Sequence, residues 1–327
     1  SPMKLRPAVK EIIWGGDKLK KEYHKTAPFA NIAESWELTV RPDGMNVIDN
    51  GVYEDMTLGD YLEKGGYKLI GKNYDADRFP LLIKFIDARD KLSIQVHPSD
   101  DYALRNEGEF GKTEMWYIVE ADEGAELVFG LKEDCTREEF ERAVAEHRIG
   151  GTLRYVEVHA GEVYFIPSGL VHAIGAGILI CEIQQNSNIT YRVFDYDRPG
   201  KDGKPRELHV EKAKKVIVNY TPEEIEKLRF SKTDRREQVG GQNRIMLADL
   251  LAACDKFTVR KYDISSEKHI SVGEDSFASL TFTDGEGFIR ADGKDYPFVK
   301  GDTYYLPAGL GDVTIVSDGA VCIRAGL

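Results

Sequence analysis

One stretch of this chain is written twice. Gly161-Glu162-Val163-Tyr164-Phe165-Ile166-Pro167-Ser168-Gly169-Leu170-Val171-His172 returns as Gly301-Asp302-Thr303-Tyr304-Tyr305-Leu306-Pro307-Ala308-Gly309-Leu310-Gly311-Asp312. Each copy reads glycine, an acid, an aromatic-rich run of strand formers, then Pro-x-Gly, which specifies a turn, a buried strand and a second turn. A chain that repeats this pattern is expected to build two like β modules. The copies differ at their last position, His172 against Asp312, so the first module can offer a metal ligand where the second is its structural echo. The bland alternative makes the pattern hairpin punctuation and His172 a surface histidine.

At 327 residues the chain has room for two units. After residue 255 the segments Phe257–Tyr262, Ser279–Phe282, Gly287–Ala291 and Val313–Val316 follow at spacings of roughly ten residues, as in a sandwich or jelly roll. Nearer the start, Ile12–Trp14 and Glu34–Val40 read as short antiparallel strands, and the lysines between Lys18 and Lys25 as a solvated face broken by Glu22. Helices are expected at 58–64 behind Thr57, behind the capping box Thr136-Arg137-Glu138-Glu139, behind Thr221-Pro222-Glu223-Glu224, and from about Leu208 to Val218. The polar, glycine-ended stretch 231–241 reads as a linker. The expectation is therefore a mainly β chain with a few short helices, in which 1–240 forms a metal-binding domain and 241–327 a metal-free β domain.

A net charge of −12 disfavours nucleic acid and anionic membrane as partners, so cations that hold an anionic substrate must be local. No apolar run approaches the roughly 18 residues of a membrane span, and no charged-then-apolar leader opens the chain. Four cysteines stand singly, which argues for reduced thiols and against a thiolate metal site. A cytoplasmic location is expected, with homo-oligomerisation open.

In Leu92–Pro98 the alternation sends Gln95 and His97 to one face of a strand. Glu114 opens the strand-like run Glu114–Val119, and a hairpin would bring it beside His97, with His172 closing the set. Two imidazoles, a carboxylate and an amide oxygen suit zinc with an open position. Two histidines and a carboxylate also describe a non-haem Fe(II) oxygenase site.

Gly-x5-Pro-x-Gly-x2-His resembles the second motif of the cupin superfamily. Joined to Phe79–Asp87, Leu92–Pro98, Gly111–Trp116 and Gln184–Arg198, the chain resembles the type I phosphomannose isomerases in their short prokaryotic form. The resemblance covers residues 12 to about 215 closely and implies a cupin, jelly-roll double module that binds one zinc ion. It also implies an aldose-ketose isomerase interconverting mannose-6-phosphate and fructose-6-phosphate through an enediol. By the same resemblance Gln95, His97, Glu114 and His172 are the metal ligands, and Arg192 is an active-site cation. Lys112 and Glu182 would move the proton, while Arg198 and Ser93 would contact substrate, Arg198 through its phosphate. Read as residues alone, Lys112 could be a solvated loop lysine and Arg198 an ion-pair partner of Asp195 or Asp197. Glu182, inside the apolar run Ile178–Ile183, needs a buried partner if it is only structural. One departure stands out: the family usually has Asp where this chain has Asn188.

His24, His147, His159 and His269 read as exposed, and His209 as packing the helix that it starts. Two alternatives stay open, a different metal-dependent cupin enzyme and a sugar-binding cupin without turnover.

Overall fold

The computed structural model describes residues 1–74, 78–200, 202–230 and 249–327. The polar stretch 231–241, expected to be a linker, lies outside the described residues. The described residues form two compact units, one drawn from 1–10, 17–85 and 235–327 and the other from 11–16 and 86–234.

The second of these holds the first copy of the repeat. One of its sheets runs in the order Leu153–Glu157, Glu126–Leu131, His172–Ile174, Ile94–Val96, Tyr191–Phe194, every neighbour antiparallel. Because side chains alternate along a strand, Ile94, Val96, Val171, Ala173, Tyr191 and Val193 fall on one face, where Phe140 and Ala213 of two helices cover them. Those helices are Arg137–Ala145 and Val210–Val216. The opposite face is left to Gln95, His172 and Arg192. A separate sheet pairs Val163–Ile166 with Glu114–Ala121 and Glu114–Ala121 with Ile178–Gln185. Glu114 is therefore not hairpin-paired with the His97 strand. The helix Asp100–Asn106 interrupts the connection and carries the chain from one sheet to the other.

The other unit is built on a sheet in which Ala278–Ala291 pairs with both Thr303–Leu306 and Ala320–Gly326. Its apolar faces bury Leu280, Phe282, Ile289, Tyr304, Leu306 and Ile315. Met3–Arg6 joins the sheet beside the second copy of the repeat, Met3 opposite Tyr305 and Lys4 opposite Tyr304. A buried ion pair holds this junction. Lys25 Nζ lies 2.8 Å from Glu37 Oε1, and Glu37 Oε2 accepts from Thr303 Oγ1 at 3.1 Å. Lys25 is thus removed from the solvated face expected for its neighbours, since a lysine can be this buried only with a carboxylate and a carbonyl (here Gly301 O at 2.5 Å) to meet it. Ile12–Trp14 is likewise not a strand but a turn, closed by Gly15 N donating to Ile12 O.

The helix signals are met at Leu58–Gly65, where Thr57 accepts from Asp60 N, and at Arg137–Ala145 and Pro222–Glu226, each with both bonds of a capping box. The helix expected over 208–218 is shorter, Val210–Val216: His209 at its N-cap makes no side-chain bond, and Ile217 turns to extended backbone at its other end.

Candidate metal centre

Three of the expected residues share one rung of the first sheet. His172 stands directly opposite Gln95, and Gln95 directly opposite Arg192, so all three project from the same face. On the other sheet Trp116 is opposite Glu182 and Glu114 opposite Gln184.

The ligand atoms converge. His97 Nε2 lies 3.1 Å from His172 Nε2 and 2.7 Å from Glu114 Oε1. Candidate ligand atoms of the three residues all lie within 4.8 Å of one another, and all three residues are buried. His172 Nδ1 donates to Leu170 O at 2.8 Å, which fixes the proton there and turns the Nε2 lone pair to the cluster. Burial holds the His172 imidazole below its ordinary value, against the pull of Glu114, and so keeps it neutral. The Pro-x-Gly turn sets that carbonyl. Gly169 has φ +87° and its N–H donates to His97 O at 2.9 Å, while an added Cβ would lie 2.6 Å from Val218 Cγ2 and 2.9 Å from Val216 O.

Gln95 Nε2 is 3.4 Å from His172 Nε2, and its Oε1 faces Ser93 Oγ at the same distance. A half-turn of the amide would exchange oxygen and nitrogen in nearly the same space, giving a fourth oxygen donor. Ser93 is buried against this amide. The donor chemistry fits a divalent cation: two imidazole nitrogens and a carboxylate oxygen aimed at one point inside the protein.

Lys112 is buried, its Nζ 3.1 Å from Glu114 Oε1, so it is not a solvated loop lysine. Glu182 finds the buried partner that its apolar strand demands in Trp116, whose Nε1 donates to Glu182 Oε2 at 3.0 Å and to Glu114 Oε2 at 2.8 Å. Sequence reading missed Trp116, although its place two residues after Glu114 puts it on the same face.

Arg192 donates from Nη1 to Glu207 O at 2.7 Å, and its buried Nε has no hydrogen-bond partner. Burial and the neighbouring Arg206 both lower its value, without removing its charge. Arg198 is engaged as the ion-pair reading foresaw: Nη2 meets Asp195 Oδ1 at 2.7 Å and Nη1 meets Asp90 Oδ2 at 3.2 Å. Arg206, also unforeseen, grips the same Asp195 with two bonds of 2.7 Å. Burial works against the Asp195 carboxylate, but the two arginines outweigh it and hold the group below its usual range. Asp195–Arg198 is a two-residue turn with Tyr196 and Asp197 at φ 59° and 51°, closed by Arg198 N to Asp195 O at 3.1 Å. The remaining histidines are as expected, His24, His147, His159 and His269 exposed and His209 packed near Tyr191.

The second module keeps the strand register of the four ligand positions but not their common face. Asp312 follows from the repeat and pairs with Ser271 as His172 pairs with Gln95, with Gly273 two residues on as His97 is, but all three are exposed where His97 and His172 are buried. Ala278, opposite Leu306, stands where Glu114 stands opposite Ile166. Leu280 opposite Arg324 replaces Trp116 opposite Glu182. None of these supplies an imidazole.

The two antiparallel β modules, one with a buried His-Glu-His cluster, define a double cupin with a single candidate metal centre among the described residues. Residues 3–138 match the family model for the catalytic domain of phosphomannose isomerase type I, and 248–324 that for the mannose-6-phosphate isomerase cupin domain. Mannose-6-phosphate isomerase ManA of Bacillus subtilis is 38% identical over 312 residues, 95% of this chain and 94% of that protein. The crystal structure of the mannose 6-phosphate isomerase from Bacillus subtilis superposes with a TM-score of 0.86 at 33% identity, covering all of both chains. A zinc-bound mannose 6-phosphate isomerase shares the fold at 17% identity, with a TM-score of 0.76 over 99% of each chain. The chain belongs to the type I phosphomannose isomerase family.

Proposed function

We propose that this protein is a metal-dependent mannose-6-phosphate isomerase, interconverting mannose-6-phosphate and fructose-6-phosphate, with zinc held by Gln95, His97, Glu114 and His172. The observation that carries the reading is the convergence of His97, Glu114 and His172 within 4.8 Å, beside Arg192, in a member of this family. Zinc, when bound, would polarise the substrate's oxygens as a Lewis acid.

The chain's own groups divide the rest of the work. The reaction removes a proton from the carbon beside a carbonyl and returns it to the neighbouring carbon. Glu182, buried with Oε2 accepting from Trp116, is the proposed base, and Lys112 Nζ, 3.1 Å from Glu114 Oε1, its proposed partner in moving the proton. Arg192 meets the negative charge that develops on oxygen, a role in which a preorganised cation contributes several kcal/mol. Arg198 is proposed for the phosphate, within the arginine pair gathered by Asp195, and Ser93 for orientation through Gln95. Asn188 brings no charge where the family usually has Asp. The metal chemistry is assigned to the module before residue 240, and 241–327 to a metal-free structural role. A cytoplasmic location is proposed; no helix among the described residues is long and apolar enough to cross a membrane.

A coupled assay with mannose-6-phosphate, before and after chelation and on return of zinc, tests the reading. Activity that survives complete metal removal, or none with metal restored, would overturn it. The two-histidine, one-carboxylate set alone also fits an Fe(II) oxygenase, which the same preparation would reveal by oxygen consumption.

A further inference from the structure

We propose that Trp116 is a positioning residue whose indole N–H, shared by Glu114 and Glu182, sets which oxygen of Glu114 faces the metal and where Glu182 sits beside it. The roles of the two carboxylates rest on the function proposed above. The geometry is that of a fork. Nε1 lies 2.8 Å from Glu114 Oε2 and 3.0 Å from Glu182 Oε2, and the indole meets the His172 ring at 5.4 Å between centroids, inclined by 70°. By occupying Oε2, the indole leaves Glu114 Oε1 for His97 at 2.7 Å and Lys112 at 3.1 Å. Glu114 is thereby presented as a one-oxygen ligand.

The contacts follow from the sheet. Trp116 stands two residues after Glu114, on the same face, and directly opposite Glu182. The second module shows what the position needs for folding alone. There the matching residue is the buried Leu280, opposite Arg324, and an apolar side chain without a donor suffices. The hydrogen donor at 116 therefore serves the carboxylates and not the barrel. A carboxylate buried this deeply relies on each donor aimed at it, because losing one exposes an unmatched charge to a low-dielectric surrounding.

Trp116→Phe keeps the aromatic bulk and deletes the N–H. The variant is expected to bind zinc about tenfold to a hundredfold more weakly in equilibrium dialysis, the usual range for a group that orients a metal ligand. At saturating zinc its kcat should fall by about tenfold or more while KM stays within about twofold. In 15N-tryptophan-labelled wild-type protein, one of three indole N–H resonances (Trp14, Trp36, Trp116), the one missing from the variant, should move on zinc addition. That last measurement needs no variant to be active. Wild-type zinc affinity and kinetics in Trp116→Phe, or an indole resonance of Trp116 indifferent to zinc, would overturn the proposal. If the wild-type protein isomerised no mannose-6-phosphate, the function proposed above would fail, while dialysis and resonance would still decide the placement of Trp116.

Discussion

His172 Nδ1 donates to the carbonyl oxygen of Leu170, 2.8 Å away, and this bond decides which nitrogen can hold a metal. The proton is committed to the backbone, so Nε2 enters the cluster as an acceptor. His172→Ala removes that donor from a module whose core lies elsewhere, on the apolar faces of its sheets. The variant should keep its fold by circular dichroism and lose most bound metal by elemental analysis. Full metal occupancy would take His172 out of the site.

Arg192 shares its rung with Gln95 but has no donor atom that could ligate a cation. Arg192→Ala should therefore retain metal and lose turnover, by about a hundredfold to a thousandfold if its charge acts on the transition state. Steady-state kinetics with parallel metal analysis distinguish this from a loss of ligation. Near-normal kcat would defeat the assignment.

Asp195 links pH to stability. Burial opposes its charge, yet Arg206 and Arg198 keep its folded-state value below the ordinary one. The stabilisation is therefore fully present above the ordinary carboxylate range near pH 4 and is lost as the pH falls through the depressed folded-state value. Asp195→Asn should cost about 2–3 kcal/mol at neutral pH, toward the low side for a broken buried pair because the arginines are partly solvated. Denaturant titrations of the two proteins should draw together as the pH falls below that window. A gap independent of pH would show that the loss is one of packing.

A chain ended at residue 240 should aggregate. Met3 and Lys4 would lose Tyr305 and Tyr304 as strand partners, and the buried Lys25 and Glu37 would lose Gly301 and Thr303. An unpaired strand and a wet ion pair in a former core favour association. Light scattering on the truncated chain tests this, and metal stoichiometry on the full chain should give one ion. A soluble, active fragment or two equivalent ions would show the second module misread.

The sequence carried the site well where local rules act. Alternation placed Gln95 and His97 on one face, the repeat placed His172 behind its turn, and the capping boxes at Thr136 and Thr221 marked helix starts. What stayed hidden depends on pairing between distant segments. No local signal tells that Glu114 belongs to a different sheet from His97, that Lys25 meets Glu37 and not water, or that Arg206 reaches Asp195. Trp116 was hidden for another reason: an indole in a strand looks like core, and only the register opposite Glu182 gives its N–H a partner.

The register match between the copies conceals a change of face. Ser271 pairs with Asp312 as Gln95 pairs with His172, yet Ser271 and Asp312 are exposed, while their strand neighbours Ile270, Val272 and Val313 are buried beside Ala278 and Leu280. After a duplication, such a copy can shed its chemistry by turning a strand pair over as well as by losing its ligands. A designer who wanted the chemistry back would have to shift those strands by one residue, which moves their side chains to the other face, and not only restore four side chains.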